Sequence, residues 1–295
     1  MPTNSFLQGT GVALVTPFNS DETVDYTSLE KIINHVIVGG VNYVVTLGTT
    51  GETATLTEAE KIAIAEHTYT IVNGRVPVVI GIGGASTNEV IENIKHMPIE
   101  KAAAILSVSP YYNKPSQEGI YQHYKAIAHA TTKPIILYNV PGRTGRNMEA
   151  ATTLRLANEL PNIVAIKEAS SLMEQCMQII ANAPSHFTVI SGDDNLALSQ
   201  IACGMKGVIS VAANYFASDY SSMINFCLQN NFEAARAILF KLLPAIDLMF
   251  CENNPAGIKA FLNAHRLCSQ QHRLPVVAVS EITNASILNF VKNYK

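Results

Sequence analysis

The chain has 295 residues, 48% of them hydrophobic and 15% charged, with a formal net charge of −3. A chain this apolar suits a large core in which both faces of a sheet are covered, and without a basic surplus there is no electrostatic case for nucleic acid or an anionic membrane as a partner. No run approaches the ~20 apolar residues that span a bilayer, and Met1-Pro2-Thr3-Asn4-Ser5 lacks the basic and apolar regions of a signal peptide, so a soluble, cytoplasmic protein is expected.

Short β-rich runs alternate with helical patterns almost to residue 230. The predicted strands are Val12–Thr16, Tyr43–Thr46, Val76–Ile80, Ala102–Val108, Pro134–Tyr138, Ile163–Ile166, Thr188–Ser191 and Gly207–Val211. Between them lie amphipathic stretches. Thr57-x-x-Glu60 and Ser86-x-x-Glu89 fit the capping box at helix starts, and Gly39-Gly40 and Asn73-Gly74 suit left-handed helix ends. Eight strands with a helix after each is the pattern of an α/β protein of the (β/α)8 TIM barrel class. A doubly wound open sheet is the competitor. Its glycine fingerprint fails here, because Gly81-Ile82-Gly83-Gly84 is followed by Ser86 where GxGxxG needs glycine, so these glycines read as a tight turn after a strand. After about residue 231 only helical patterns remain, at Phe232–Phe250, Ala256–Leu267 and Ser280–Lys292, punctuated by Asn254-Pro255 and Leu274-Pro275. The expected organisation is a catalytic barrel over 1–230 and a C-terminal helical domain over 231–295.

Cys176, Cys203, Cys227, Cys251 and Cys268 are odd in number, scattered and never spaced CxxC, as for reduced thiols. The eight histidines are dispersed and no HExxH occurs, so no metal site is expected.

The sixth strand ends on a charge: Ile163-Val164-Ala165-Ile166-Lys167-Glu168. An ammonium on a buried strand costs several kcal/mol of desolvation unless it is paired or loses its proton. A lysine that spends time neutral is a nucleophile able to form a Schiff base with a carbonyl substrate. Taken alone, Lys167 is better read as snorkelling into solvent, since surface lysines far outnumber catalytic ones. Its company decides. Barrel chemistry sits at the C-terminal ends of the strands, and those positions carry Gly48-Thr49-Thr50-Gly51-Glu52 after strand 2, Tyr111-Tyr112-Asn113-Lys114-Pro115 after strand 4, Tyr138-Asn139-Val140-Pro141-Gly142-Arg143-Thr144-Gly145 after strand 5, and Ser191-Gly192-Asp193-Asp194 after strand 7. Hydroxyls and loop amides between flexible glycines can hold a carboxylate.

Together these motifs resemble the pyruvate-dependent class I aldolases and, through Arg143, the dihydrodipicolinate synthase family, over essentially the whole chain. The resemblance implies that Lys167 condenses with pyruvate to an imine, that the derived enamine attacks the aldehyde of L-aspartate 4-semialdehyde, and that ring closure displaces the lysine. It implies a proton relay of Tyr138, Thr50 and Tyr112, with Tyr112 supplied by a neighbouring subunit. By the same resemblance Thr49 and Thr50 hold the pyruvate carboxylate, Arg143 presents a planar fork to the carboxylate of the second substrate, and Ile209 matches the position whose backbone carbonyl lies near the reactive lysine. No cofactor is implied, since the protonated imine is itself the electron sink. A homotetramer built as a dimer of dimers is implied.

Relatives inhibited by lysine bind it between subunits. Tyr111 and Glu89 match that site and Thr53 and Ala54 are close to it, but Glu58, Lys61 and Ala85 stand where sensitive relatives carry histidines and an asparagine. Lys61 would repel a lysine ammonium, so feedback inhibition is expected to be weak or absent. Two rival readings are an N-acetylneuraminate lyase-like pyruvate aldolase, against which Arg143 argues, and a catalytically inactive keto-acid-binding barrel, against which the intact lysine, tyrosines and arginine argue.

Overall fold

The computed structural model describes residues 4–294. Eight parallel strands close into one barrel in sequence order: β1 (Gly9–Ala13), β2 (Tyr43–Thr46), β3 (Val78–Gly81), β4 (Ala104–Val108), β5 (Ile135–Asn139), β6 (Ile163–Glu168), β7 (Thr188–Ser191) and β8 (Gly207–Ser210). The helices around it are α1 (Tyr26–Val38), α2 (Glu58–Val72), α3 (Thr87–His96), α4 (Gln117–His129), a short α5 (Pro141–Thr144), α6 (Ala150–Glu159), α7 (Met173–Asn182), α8 (Ala197–Ala202) and α9 (Ala217–Leu228). Then follow α10 (Phe232–Phe250), α11 (Ala256–Ala264) and α12 (Glu281–Asn293), within a few residues of the three helices expected from the sequence. No helix among the described residues is long and apolar enough to cross a membrane.

Successive strand residues point to opposite faces, and two cores result. Tyr43, Val45, Leu106, Ile136, Tyr138, Val164 and Ile209 fill the barrel interior, whereas Val44, Ile105, Leu137 and Ile166 join the larger core between sheet and helices. Along β6 this alternation sends Lys167 inward and Glu168 outward. A register irregularity at Ile135/Ile136 against Ile163–Ala165 precedes it, after which Tyr138 pairs with Lys167 and Asn139 with Glu168.

Strand β1 begins three residues before the predicted Val12. Gly9-Thr10-Gly11 looks like turn composition, but Gly11 is bare for packing: a Cβ there would lie 2.2 Å from the ring of Tyr43, which occupies the barrel interior. Gly81, which ends β3, likewise serves close approach, since a Cβ on it would meet the Leu47 carbonyl oxygen at 2.1 Å. The β2 loop can therefore lie directly across β3.

Thr57 and Glu60 form the full capping box, with Glu60 N–H donating to Thr57 Oγ1 at 3.3 Å and Thr57 N–H donating to Glu60 Oε2 at 2.9 Å. Ser86 caps α3 one way only, accepting from the Glu89 N–H at 3.4 Å, because the Glu89 carboxylate faces a cavity. Asn73 and Gly74 are left-handed as expected; at the end of α1 it is Gly40, not Gly39, that takes the positive φ. An aromatic cluster seals the C-terminal helices to the barrel: Phe216, just before α9, lies 5.9 Å from Phe261 of α11 and 4.9 Å from Tyr294, centroid to centroid.

Candidate active site

The C-terminal mouth of the barrel holds a cavity of about 390 Å³ lined by Thr49, Thr50, Tyr138, Arg143, Lys167, Asp193 and Glu252–Asn254, among others. Lys167 is 5% exposed, so its amine reaches only this cavity. Its Nζ lies 4.4 Å from the centroid of the Tyr138 ring and makes no ion pair among the described residues. The face of a phenol attracts an ammonium but supplies less than a carboxylate would.

Space for this side chain comes from Gly192. A Cβ there would stand 3.0 Å from Lys167 Cε and 2.6 Å from Ala169 Cβ. The Gly192 N–H donates to the Glu168 carbonyl at 2.7 Å, which fixes the β7 loop beside the lysine. Glu168, on the other face of β6, is fully buried and accepts from Asn139 Nδ2 at 3.0 Å, Gln175 Nε2 at 3.0 Å and the Ser170 N–H at 2.8 Å. Burial raises its carboxyl above the usual range, with those donors opposing. This network ties the end of β5, which carries Tyr138, to the end of β6, which carries Lys167.

The loop after β2 is held just as firmly. Thr49–Gly51 forms one 3₁₀ turn; Thr16 Oγ1 donates to the Gly51 carbonyl at 2.7 Å and Thr53 Oγ1 to the Gly48 carbonyl at 2.9 Å. Thr50 is buried and its hydroxyl accepts from Asn254 Nδ2 at 3.1 Å. Next in the chain, Glu52 takes a left-handed conformation (φ 53°) and its buried carboxylate meets the buried Lys259 ammonium of α11 and His272 Nδ1 at 3.3 Å. Burial pushes the Glu52 carboxyl up, but His272 and Lys259 outweigh it and hold it below its ordinary value.

Arg143 sits on α5, where Pro141 opens the turn, and its Nη2 donates to the Asn254 carbonyl at 3.2 Å. The rest of the guanidinium fork is left for a ligand. Asp193 faces the cavity with Ser171 Oγ donating to Oδ2 at 3.2 Å; burial raises its carboxyl, while Ser171 and the Lys167 charge pull it down.

Lys167, Tyr138, Thr49, Thr50 and Arg143 thus converge on one cavity. Two other residues predicted for the site do not line it. Tyr112 is 89% exposed, on a loop residue with φ 68°, and points outside its own barrel mouth. Ile209 is fully buried in β8, opposite Gly11, with its side chain in the barrel interior; Val211, two residues on, reaches the cavity instead. Sequence reasoning missed Gly192 and Asp193 as individuals, although it marked their strand end. It also missed Glu252, Asn253 and Asn254, which come from the turn between α10 and α11, where only Asn254-Pro255 stands out in the sequence, as a stop or start of a helix.

A profile of the dihydrodipicolinate synthetase family matches residues 6–293. The chain belongs to that family. A 4-hydroxy-tetrahydrodipicolinate synthase of Parabacteroides distasonis is 50% identical over 281 residues, covering 95% of each chain. Among solved structures, dihydrodipicolinate synthase from Thermotoga maritima superimposes with a TM-score of 0.95 at 38% identity, covering 98% of this chain and 99% of that one. The chloride-inhibited enzyme of Acinetobacter baumannii, solved with pyruvate, gives 0.94 at 40% identity, covering 97% and 98%. The chain is accordingly a lyase of class I aldolase type, a carbon–carbon condensing enzyme of lysine and diaminopimelate biosynthesis.

Proposed function

We propose that this chain condenses pyruvate with L-aspartate 4-semialdehyde, with Lys167 as the nucleophile. The neutral amine adds to the keto carbon of pyruvate; loss of water leaves a protonated imine, and loss of a methyl proton gives the enamine. The enamine carbon attacks the aldehyde, whose oxygen takes up a proton. The amine of the second substrate then adds to the imine carbon, and that C–N bond replaces the one to Lys167. The protonated imine draws electrons from the reacting carbon, so the step needs no other electron sink.

Tyr138 is the proton donor and acceptor of this reading, since its ring already lies against the lysine. Its hydroxyl can pass protons to Thr50 and, in an oligomer, to Tyr112 of another copy. Thr49, Thr50 and their loop amides hold the pyruvate carboxylate, Arg143 the carboxylate of the aldehyde, and the backbone carbonyl of Ile209 borders the lysine. Residues 1–230 form the catalytic barrel, and 231–295 form a helical domain that lends the cavity Glu252–Asn254. We place the enzyme in the cytoplasm as a homotetramer of two dimers, each dimer exchanging Tyr112.

The observation that supports this most is the buried Lys167 amine stacked on Tyr138 in a cavity shared with Thr50 and Arg143. Borohydride added with pyruvate should fix a reduced adduct on the peptide containing Lys167 and abolish activity. An enzyme left unmodified and active would defeat the imine assignment. Turnover of aspartate semialdehyde but not of N-acetylneuraminate separates this reading from the sugar-acid lyases, and Arg143 supports the former.

A further inference from the structure

The cavity wall carries four charged side chains, Lys167, Arg143, Asp193 and Glu252. If Lys167 binds the keto acid and Arg143 a carboxylate, two negative groups remain. Glu252 is committed elsewhere: its carboxylate accepts from the Ser280 N–H at 2.9 Å and the Ser280 hydroxyl at 2.6 Å, at the start of α12. Asp193 is not. Its carboxylate accepts from the Ser171 hydroxyl at 3.2 Å, to Oδ2, and the Gln200 side chain lies close enough to pull it down as well, but no cation of the chain pairs with it among the described residues.

The backbone aims this carboxylate. The Asp193 N–H donates to Ser191 Oγ at 3.2 Å, and Gly192 is pinned to the Glu168 carbonyl beside Lys167. The following residue, Asp194, points the other way. It is buried and accepts from the Ser210 hydroxyl and from the N–H groups of Val211 at 2.9 Å and Ala212 at 3.2 Å, locking the β7 loop to β8. Two consecutive aspartates are therefore divided: Asp194 is structural, while Asp193 is presented to the cavity one residue from the glycine that borders Lys167 Cε.

Resting on the site reading above, we propose that Asp193 is a specificity-determining residue that binds the ammonium of the second substrate. An aldehyde with a carboxylate and an ammonium on one carbon matches a wall that offers Arg143 and Asp193 together. A charge-assisted hydrogen bond in a partly dehydrated site discriminates strongly against an analogue that lacks the donor, because the carboxylate is then buried unpaired. An incoming cation would also offset the burial that Asp193 bears in the free enzyme. Orientation follows as well: once the bound ammonium has given a proton to the Asp193 carboxylate, the free amine stands near the imine carbon it must attack.

The test compares aspartate semialdehyde with succinate semialdehyde, which lacks the amine, as substrate and competing ligand in the presence of pyruvate. In Asp193→Asn the KM for aspartate semialdehyde should rise roughly 10- to 100-fold. The inhibition constant of the des-amino aldehyde and the rate of borohydride trapping of pyruvate should stay within about twofold of the unaltered enzyme. Normal trapping also shows that the variant is folded. The unaltered enzyme should bind the aminated aldehyde more tightly than the des-amino one, which tests the proposal without any variant. Equal losses for both aldehydes, or equal binding of the two by the unaltered enzyme, would overturn the proposal; pyruvate trapping altered more than about twofold in the variant would overturn it too and make Asp193 a partner of Lys167 instead. Absence of any Lys167 adduct in the unaltered enzyme would overturn the lysine assignment, and this proposal with it.

Discussion

Tyr138 and Lys167 are register partners on neighbouring strands, and the lysine Nζ lies 4.4 Å from the centroid of the tyrosine ring. The ring packs the amine and the hydroxyl serves the proton transfers, so the two roles separate in one substitution. Tyr138→Phe keeps the stack and removes the hydroxyl. The expected result is a kcat lower by about 100- to 10,000-fold, in the range of general acid–base catalysis, with an unchanged circular dichroism spectrum. Pyruvate should still be trapped by borohydride, only more slowly. A variant with normal kcat would remove Tyr138 from the relay.

Gly192 is the residue whose smallest change should matter most. Alanine there puts a methyl 3.0 Å from Lys167 Cε and 2.6 Å from Ala169 Cβ. The lysine must shift, and an amine displaced by even a fraction of an ångström loses alignment with the keto carbon. Gly192→Ala should lower kcat/KM at least about tenfold by this loss of orientation, and overpacking should cost ~1–3 kcal/mol of stability. Steady-state kinetics with urea unfolding of the same sample checks both parts.

The fold and half of the site are legible in the sequence for identifiable reasons. A charge that ends an apolar, β-branched run, as Lys167 does, must face either a cavity or solvent, and period-2 alternation on a barrel strand sends it inward. The hydroxyl loop at Thr49-Thr50 and the arginine after Pro141 lie at strand ends, where the barrel class directs attention. What stayed hidden depends on distance in space. Asn254 touches Thr50 across 204 residues of chain, and Glu52 meets Lys259 across 207; no local pattern announces either. The strand is predicted to start only at Val12 because the cause of the bareness of Gly11, the Tyr43 ring, lies on another strand.

Arg273 links the C-terminal segment to α2. It reaches Glu60 through Nη1 at 2.9 Å and also binds the carbonyls of Glu22 and Thr55. This arginine, chiefly by hydrogen bonding, holds the Glu60 carboxyl at about 2, against an ordinary value of 4.5. A carboxyl lowered in the folded state stabilises it fully above its unfolded value, and that contribution fades as pH falls through the folded one. The pair is partly exposed, so a contribution of about 1–2 kcal/mol is expected instead of the full shift. Arg273→Gln should therefore destabilise most at neutral pH, and the gap to the unaltered protein should narrow between pH 4.5 and about 2. The carbonyl contacts to Glu22 and Thr55 set what remains. Urea unfolding at neutral pH and at successively lower pH measures this, and a gap constant with pH would show that the ion pair contributes nothing.

The exposed Tyr112 yields a complementation experiment. If it serves a neighbouring copy, Tyr112→Phe and Lys167→Ala each inactivate alone, by different defects. Mixed and allowed to exchange subunits, they form hybrids in which one site joins an intact Lys167 to an intact Tyr112. Random pairing makes half the dimers hybrid with one good site of two, so activity should return to about one quarter of the unaltered level. Recovery should follow the exchange time and vanish if the chains are cross-linked before mixing. No recovery would show that Tyr112 does not serve a neighbouring copy, and an active Tyr112→Phe would place it outside the relay.

A second cavity of about 500 Å³ shares Tyr138 and Arg143 with the first and is lined by Thr53, Ala54, Lys61, Glu89, Asn93 and Tyr111. Glu58 and Ala85 do not line it. Glu89 could attract an ammonium there, but Lys61 places a like charge on the same wall, and a cation between them gains little. Like charges juxtaposed in a binding site can cost several kcal/mol. L-lysine at roughly millimolar concentration should therefore leave the rate within about twofold of its uninhibited value. Lys61→Asn removes the repulsion and keeps Glu89 and Tyr111, so that variant should become more sensitive to lysine than its parent. A parent already strongly inhibited at sub-millimolar lysine would show that the Lys61 ammonium turns away from the ligand and that the Glu89 carboxylate dominates the site.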